Sequence, residues 1–454
     1  MGKSRKPPAA GFVAPLDWLA TRVDFERNPP PAAPAAFGLA RMRRLLAALG
    51  NPHRAVPVVH VAGTKGKGST VAMLAAILEE AGLRTGRYMS PHVHGVEERI
   101  CIDGRPITPE RLAATMAAVR PAVEALDHAA ARRGAAGPTW FEIVTALAFV
   151  HFARAPVDIA VLETGLGGRL DATNVVRPAL SVITSISFDH MGLLGHTIGR
   201  IAGEKAGIIK RGRPVVSGAR QPSARKVIAA TARRRRARLV QLGADFTARY
   251  EPPSGSVPLA AGSVAVRSGT AAGERTYRLG MAGRHQAENA ALAVIAAAEL
   301  AAAGWPVKEE AVARGLERAR LPARIEVVAD RPLVVVDAAH NVASMQSLLD
   351  TVGPDLASRR PRVLLFAASR DKQIEEMLAA ARGHFEHVVV TRYASNPRAA
   401  PIDRLVAACR AARLPAARVA AAPAEALRLA RKLAGPRGSV VAAGSFFLAG
   451  ELGS

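Results

Sequence analysis

Val56-Pro57-Val58-Val59-His60-Val61-Ala62 runs directly into Gly63-Thr64-Lys65-Gly66-Lys67-Gly68-Ser69-Thr70, and that stretch runs into the helical pattern Val71 to Ala81. An apolar β-branched run, a glycine turn and a helix in that order form the context a phosphate cradle needs. Glycine lets the backbone approach an anion closely, and the helix N-terminus points its N–H groups at the anion. Lys67 can reach the outer phosphates, and the hydroxyl of Ser69 or Thr70 can ligate magnesium. Gly68 separates Lys67 from Ser69, a departure from the usual adjacency of lysine and hydroxyl residue.

The same rhythm continues outward from this loop. Val56 to Ala62, Asp158 to Leu162, Leu180 to Ile186 and Pro214 to Ser217 are apolar runs followed by glycine or polar residues and then by helical patterns, which predicts parallel strands of an α/β sheet. Gln241 to Gly280, with Pro252, Pro253 and several glycines, breaks the rhythm and predicts short strands or loops. A second α/β series follows, with strands expected at Leu333 to Val336, Val363 to Phe366, Val388 to Thr391, Ala417 to Ala421 and Ser439 to Ala442. Proline and the change of pattern at Leu321 to Arg324 set the expected boundary, giving domains 1–320 and 321–454.

Bulk composition bounds the function. The chain has 454 residues, 49% hydrophobic and 22% charged, enough for two or three folded domains. Glu288 and Glu299 interrupt the alanine-rich Ala287 to Ala303, so no membrane span is expected, and Met1 to Ala10 lacks the apolar core of a signal peptide. Cys101 and Cys409 stand far apart with no zinc or disulfide pattern, and a cytoplasmic location follows as the default. The charge of +25 raises the question of nucleic acid, but arginines are scattered apart from Arg233 to Arg236 and aromatics are only 4%, so nucleic acid is not the expected partner. Either an arginine- and alanine-rich composition or steering of anionic ligands accounts for the charge.

Two more stretches carry chemistry. Glu163 ends the strand ahead of Thr164-Gly165-Leu166-Gly167-Gly168-Arg169-Leu170-Asp171-Ala172-Thr173-Asn174, where α/β sheets place ligands, and it is a hard oxygen donor suited to magnesium. His190, in Ser187-Phe188-Asp189-His190-Met191-Gly192, follows a strand in the same way, so the two can converge. Lys205, in Gly203-Glu204-Lys205-Ala206-Gly207, poses a puzzle, because an ammonium beside a magnesium site repels it.

The loop Gly63-Thr64-Lys65-Gly66-Lys67-Gly68-Ser69 resembles that of the Mur ligase superfamily, and the later motifs resemble its folylpolyglutamate synthase and dihydrofolate synthase branch over nearly the whole chain. The resemblance implies an N-terminal Mur-ligase-type ATP-binding domain with a mostly parallel sheet and a smaller Rossmann-like C-terminal domain. It implies ATP contacts at Lys65, Gly66, Lys67, Gly68, Ser69, Asn289 (in Gly283 to Ala290, at the base), Arg324 (phosphates) and Asp337 (ribose). Magnesium ligands would be Ser69, Ser90, Glu163, His190 and Lys205, the last carbamylated by carbon dioxide so that it becomes an anion able to help hold a second ion. Pterin-binding segments would be Asp24-Phe25-Glu26-Arg27, Thr139-Trp140-Phe141-Glu142 and Leu170-Asp171-Ala172. The family usually has glycine where this hinge has Ala323, and Ser369-Arg370-Asp371-Lys372 and Ala443-Gly444-Ser445 also fit its pattern. A monomer and a monovalent cation such as K+ are implied as well, the latter with no residue signal of its own.

The expected reaction joins the amine of L-glutamate to a carboxylate of 7,8-dihydropteroate or of a reduced folate. ATP would first phosphorylate that carboxylate, with Lys67, Lys205 and His190 as the catalytic set. A cell-wall Mur ligase using UDP-linked substrates is the rival on the same fold, and a non-enzymatic basic nucleic-acid-binding protein is the rival from another class.

Overall fold

A computed structural model describes residues 15–27, 38–254, 259–269 and 273–453, so Met1 to Ala10 lies outside the described residues. The strands of the first sheet are β1 (Val58–Ala62), β2 (Thr85–Tyr88), β3 (Ile100–Ile102), β4 (Arg105–Pro106), β5 (Ile159–Glu163), β6 (Leu180–Ile183), β7 (Val215–Ser217) and β8 (Leu239–Gln241). They lie in the order β4-β3-β2-β5-β1-β6-β7-β8, parallel from β2 through β8 and antiparallel at the β3 and β4 edge. All five residues of β1 are buried, as expected of a central strand covered on both faces.

The helix after β1 is Lys67–Glu80, four residues earlier at its start than the apolar pattern predicts. Gly66, its N-cap, sits at φ 81, and a Cβ there would lie 2.0 Å from Asn289 Oδ1. Only glycine fits that left-handed, crowded corner, so the chain turns into helix inside the loop and Lys67 and Gly68 become its first turn. Every residue from Ser69 to Leu78 is buried, between the helices His285–Ala302 and Glu309–Arg318 and the sheet. A helix apolar all round has no solvent face to give up.

The segment expected to hold short strands or loops folds as an antiparallel three-stranded sheet of β9 (Phe246–Glu251), β10 (Ser263–Ser268) and β11 (Glu274–Arg278). Its strands carry polar residues on the outer face, which hid them from an apolar-run reading. The third sheet contains β12 (Glu326–Asp330), β13 (Leu333–Val336), β14 (Arg362–Phe366), β15 (His387–Val390), β16 (Ala417–Val419) and β17 (Ser439–Ala443), in the order β12-β13-β17-β14-β15-β16. Five of these strands are parallel, and β12 pairs antiparallel with β13. Strand β6 stops at Ile183, three residues short of expectation, because Thr184 and Ser185 turn their side chains to the phosphate loop.

Candidate active site

The register of the first sheet sets the site. Val61 pairs with Glu163 of β5 and Ala62 with Ile183 of β6, so the carboxyl ends of three adjacent parallel strands open side by side, where an α/β sheet reverses its order. The loop after β1 is held from the β6 side: Thr64 N donates to Ser185 O at 2.8 Å, and the Thr184 hydroxyl donates to Lys65 O at 2.7 Å. These bonds fix the loop while its glycines keep the backbone open toward the cleft.

Glu163 is buried at the floor of this opening. Its carboxylate accepts Ser90 N at 3.2 Å and lies 3.8 Å from Lys67 Nζ. Burial pushes its pKa up and the Lys67 charge pulls it down. A buried carboxylate so lightly bonded, with Ser69 and Ser90 on the same wall, is a set of hard oxygen donors that fits magnesium. Among the described residues no three His, Cys, Asp or Glu side chains form a ready cage, which accords with an ion that takes most of its ligands from phosphate and water.

Lys205 is buried beneath the loop, with Nζ donating to Gly63 O at 2.8 Å, and it does not line the cleft wall. Desolvation, and then the nearby Lys67 charge, lower its pKa to about 7, so much of it is uncharged amine near neutrality. His190 lines the cleft on a half-exposed turn at φ 47, with Asp189 Oδ1 3.8 Å away. No direct contact joins it to Glu163; the two face the same space from different strand ends.

One cleft of about 1900 Å³ is lined by most of the expected residues: the nucleotide and metal set Lys65, Gly66, Lys67, Gly68, Ser69, Ser90, Glu163, His190, Asn289, Arg324 and Asp337, and the acceptor set Phe25, Glu26, Thr139, Phe141, Glu142, Leu170, Asp171 and Ala172. Asp24, Arg27 and Trp140 stand behind its wall. Asp24 caps a turn by accepting Glu26 N at 2.8 Å, and Trp140 lies under the Arg99 guanidinium, 4.6 Å from its ring centre. Glu142 is engaged within the protein, accepting Thr139 N at 2.8 Å in a capping box and Arg41 Nε at 3.1 Å. Asp337 is likewise engaged, accepting Ile325 N at 2.9 Å and Ala339 N at 2.7 Å, so it ties the segment after Arg324 to the turn after β13.

The description of the Mur ligase middle domain matches residues 61–297, and that of the Mur ligase glutamate ligase domain matches residues 323–446. A dihydrofolate synthase/folylpolyglutamate synthase of Bacillus subtilis (strain 168) is 41% identical over 366 residues, 80% of each chain. The chain belongs to the dihydrofolate synthase/folylpolyglutamate synthase family. The folylpolyglutamate synthase of Mycobacterium tuberculosis complexed with ADP and AMPPCP is similar at a TM-score of 0.82 and 35% identity, covering 91% of this chain and 94% of that one. The Escherichia coli enzyme in complex with DHPP and ADP is similar at 0.79 and 29%, covering 98% and 97%. As a member of the folylpolyglutamate synthase family the chain is an ATP-dependent ligase, and the relatives named here favour neither a cell-wall ligase nor a nucleic-acid-binding protein.

Sequence reading missed several residues at the site of this family member. Arg41 reaches Glu142 across 101 positions, Arg398 Nη1 donates to Glu26 O at 2.8 Å, and Asn341 accepts Lys65 Nζ. All are long-range pairings with no local spacing to reveal them. No helix among the described residues is long and apolar enough to cross a membrane.

Proposed function

We propose that the protein is a bifunctional ligase joining the amine of L-glutamate to 7,8-dihydropteroate and to the glutamate tail of tetrahydrofolate. The observation that carries this reading is that a single cleft unites the phosphate loop and Glu163 with an aromatic and carboxylate wall formed by Phe141 and Asp171. A flat, amine-edged ring suits that wall, and Gly165 makes room for Phe141, since a Cβ there would meet the phenyl ring at 2.5 Å.

Amide formation from a free carboxylate is uphill in water. In this reading a carboxylate oxygen of the acceptor attacks the γ-phosphorus of ATP, the bond to the bridging oxygen breaks, and ADP leaves. Glutamate's amine then attacks the acyl carbon, losing a proton as phosphate departs. Lys67 and Arg324 spread the charge of the transferring phosphoryl group, Gly66 to Ser69 offer backbone N–H groups, and residues 1–320 and 321–454 act as two domains that close to exclude water. Magnesium, held by Ser69, Ser90 and Glu163, would neutralise phosphate charge when bound.

Lys205 accounts for a second ion if its neutral amine adds to carbon dioxide, forming an N–C bond and releasing a proton to water, with the resulting carbamate and His190 serving as ligands. Its low pKa supports that chemistry. Asn289 would meet the base and Asp337 the ribose. The reading carries with it a monomer in the cytoplasm. It is tested by mass spectrometry of products from labelled glutamate: label is expected in both dihydrofolate and a lengthened folate tail, and label in neither overturns the reading.

A further inference from the structure

His60 lies at the centre of β1, buried on every side, on the strand that feeds the phosphate loop, yet nothing in the reaction above uses it. Its Nε2 is 2.8 Å from the hydroxyl of Thr173, and that hydroxyl in turn bonds Asp171 Oδ1. Thr173 N also donates to Oδ1 at 3.0 Å, and Leu166 N donates to Oδ2 at 2.8 Å. Asp171 thus lines the cleft with one oxygen held by Thr173 twice over and the other by Leu166 N, and Gly165 N also bonds the carboxylate.

Proton counting fixes the direction of this chain. A threonine hydroxyl has one proton, and a carboxylate is the stronger acceptor, so Thr173 gives its proton to Asp171 and accepts from His60. His60 must therefore carry hydrogen on Nε2 and none on Nδ1, which has no hydrogen-bond partner among the described residues. Burial holds the imidazole neutral, with a pKa near 3, so the donor does not switch between one and two protons at ordinary pH.

We infer that His60 and Thr173 are positioning residues for the acceptor site, a two-step relay running from the strand behind the phosphate loop to the Asp171 carboxylate, which they orient toward paired N–H donors on the edge of a flat heterocycle. The inference rests on the functional reading above for the identity of that heterocycle. With the hydroxyl proton directed by His60, Thr173 holds the Asp171 carboxylate in the orientation that lines the cleft. The same strand then fixes nucleotide loop and acceptor carboxylate together.

The test compares wild type, Thr173→Val, Thr173→Ser and Asp171→Asn in direct binding of 7,8-dihydropteroate and in steady-state rates. Thr173→Val is expected to raise the Kd and KM for dihydropteroate about tenfold while leaving the KM for ATP within about twofold, and Thr173→Ser to restore the wild-type values. A folded Thr173→Val protein with unchanged dihydropteroate affinity, or with equal losses for ATP and dihydropteroate, overturns the relay. Wild type that binds no dihydropteroate overturns the functional reading instead. Nitrogen NMR of 15N-histidine-labelled wild type then judges the relay by itself, as it does if Thr173→Val fails to fold. A neutral His60 protonated on Nε2 is expected, and protonation on Nδ1 overturns the relay.

Discussion

Lys65 Nζ donates a 2.9 Å hydrogen bond to Asn341 Oδ1, tying the phosphate loop to the N-cap of the helix Val342–Leu356 across the cleft. The same oxygen accepts Ser344 N at 2.9 Å, so Asn341 serves its own helix and the opposite wall at once. Lys65 is therefore engaged by protein at the place where a nucleotide phosphate would claim it.

Competition for Lys65 has a measurable consequence. Asn341→Asp keeps the cap and turns the bond to Lys65 into an ion pair, so the KM for ATP should rise several-fold with little change in rate at saturation. Asn341→Ala should cost about 1 kcal/mol of stability through the lost cap and should not raise that KM. ATP titrations and urea unfolding of both variants check the pair; an Asn341→Asp protein with unchanged KM would show that Lys65 is not drawn to phosphate.

Lys67 and Glu163 stand 3.8 Å apart on the floor of the cleft. Removing the charge with Lys67→Met should lower kcat by at least about 10³-fold with the fold intact, because a preorganised cation at the transferring phosphoryl group is lost. Glu163→Gln should fall in the same direction and need more magnesium for its residual rate. Circular dichroism, together with rates across a magnesium series, separates loss of chemistry from loss of structure.

Transfer through an acyl phosphate leaves an isotopic trace. With the acceptor carboxylate labelled in 18O, one labelled oxygen should appear in the released phosphate, because the bond that breaks when the amine attacks is the acyl carbon to oxygen bond. Phosphate free of label would exclude the intermediate.

Acid should loosen the fold over a defined window. His60 and His340 are held near pKa 3, in both cases first by burial. Each folded value lies below the ordinary 6.5, so the unfolded chain takes up protons first as the pH falls. Stability from these groups is fully present above about pH 6.5 and declines as the pH falls toward about 3. Urea unfolding at pH 7 and pH 5 should show a drop of at least about 2 kcal/mol, and His60→Phe should flatten the slope. A pH-independent midpoint would contradict the buried neutral state.

What the sequence made legible was whatever is written locally. The phosphate loop, the carboxylate ending β5 and the strands of the third sheet all announce themselves by apolar runs and glycine turns, and their ends fall within a few residues of expectation. Helix Lys67–Glu80 began early because Gly66 adopts a left-handed corner against Asn289, a tertiary contact over 200 positions away that no local pattern encodes. Glu142 was legible as a site residue but not as a capping group already paired with Arg41, and β9 to β11 were legible only as short strands or loops, because exposed polar residues interrupt their apolar positions. The Lys65 to Asn341 bond and the His60 to Thr173 bond depend on which loops the strand order brings together, and strand order is not a local property.

The most direct test of the central claim is ADP release by purified protein with ATP, magnesium and glutamate, in one set with 7,8-dihydropteroate and in another with tetrahydrofolate, with Lys205→Ala as control. The account predicts glutamate-dependent release in both sets and its loss in the control. No release in either set from folded protein would contradict it.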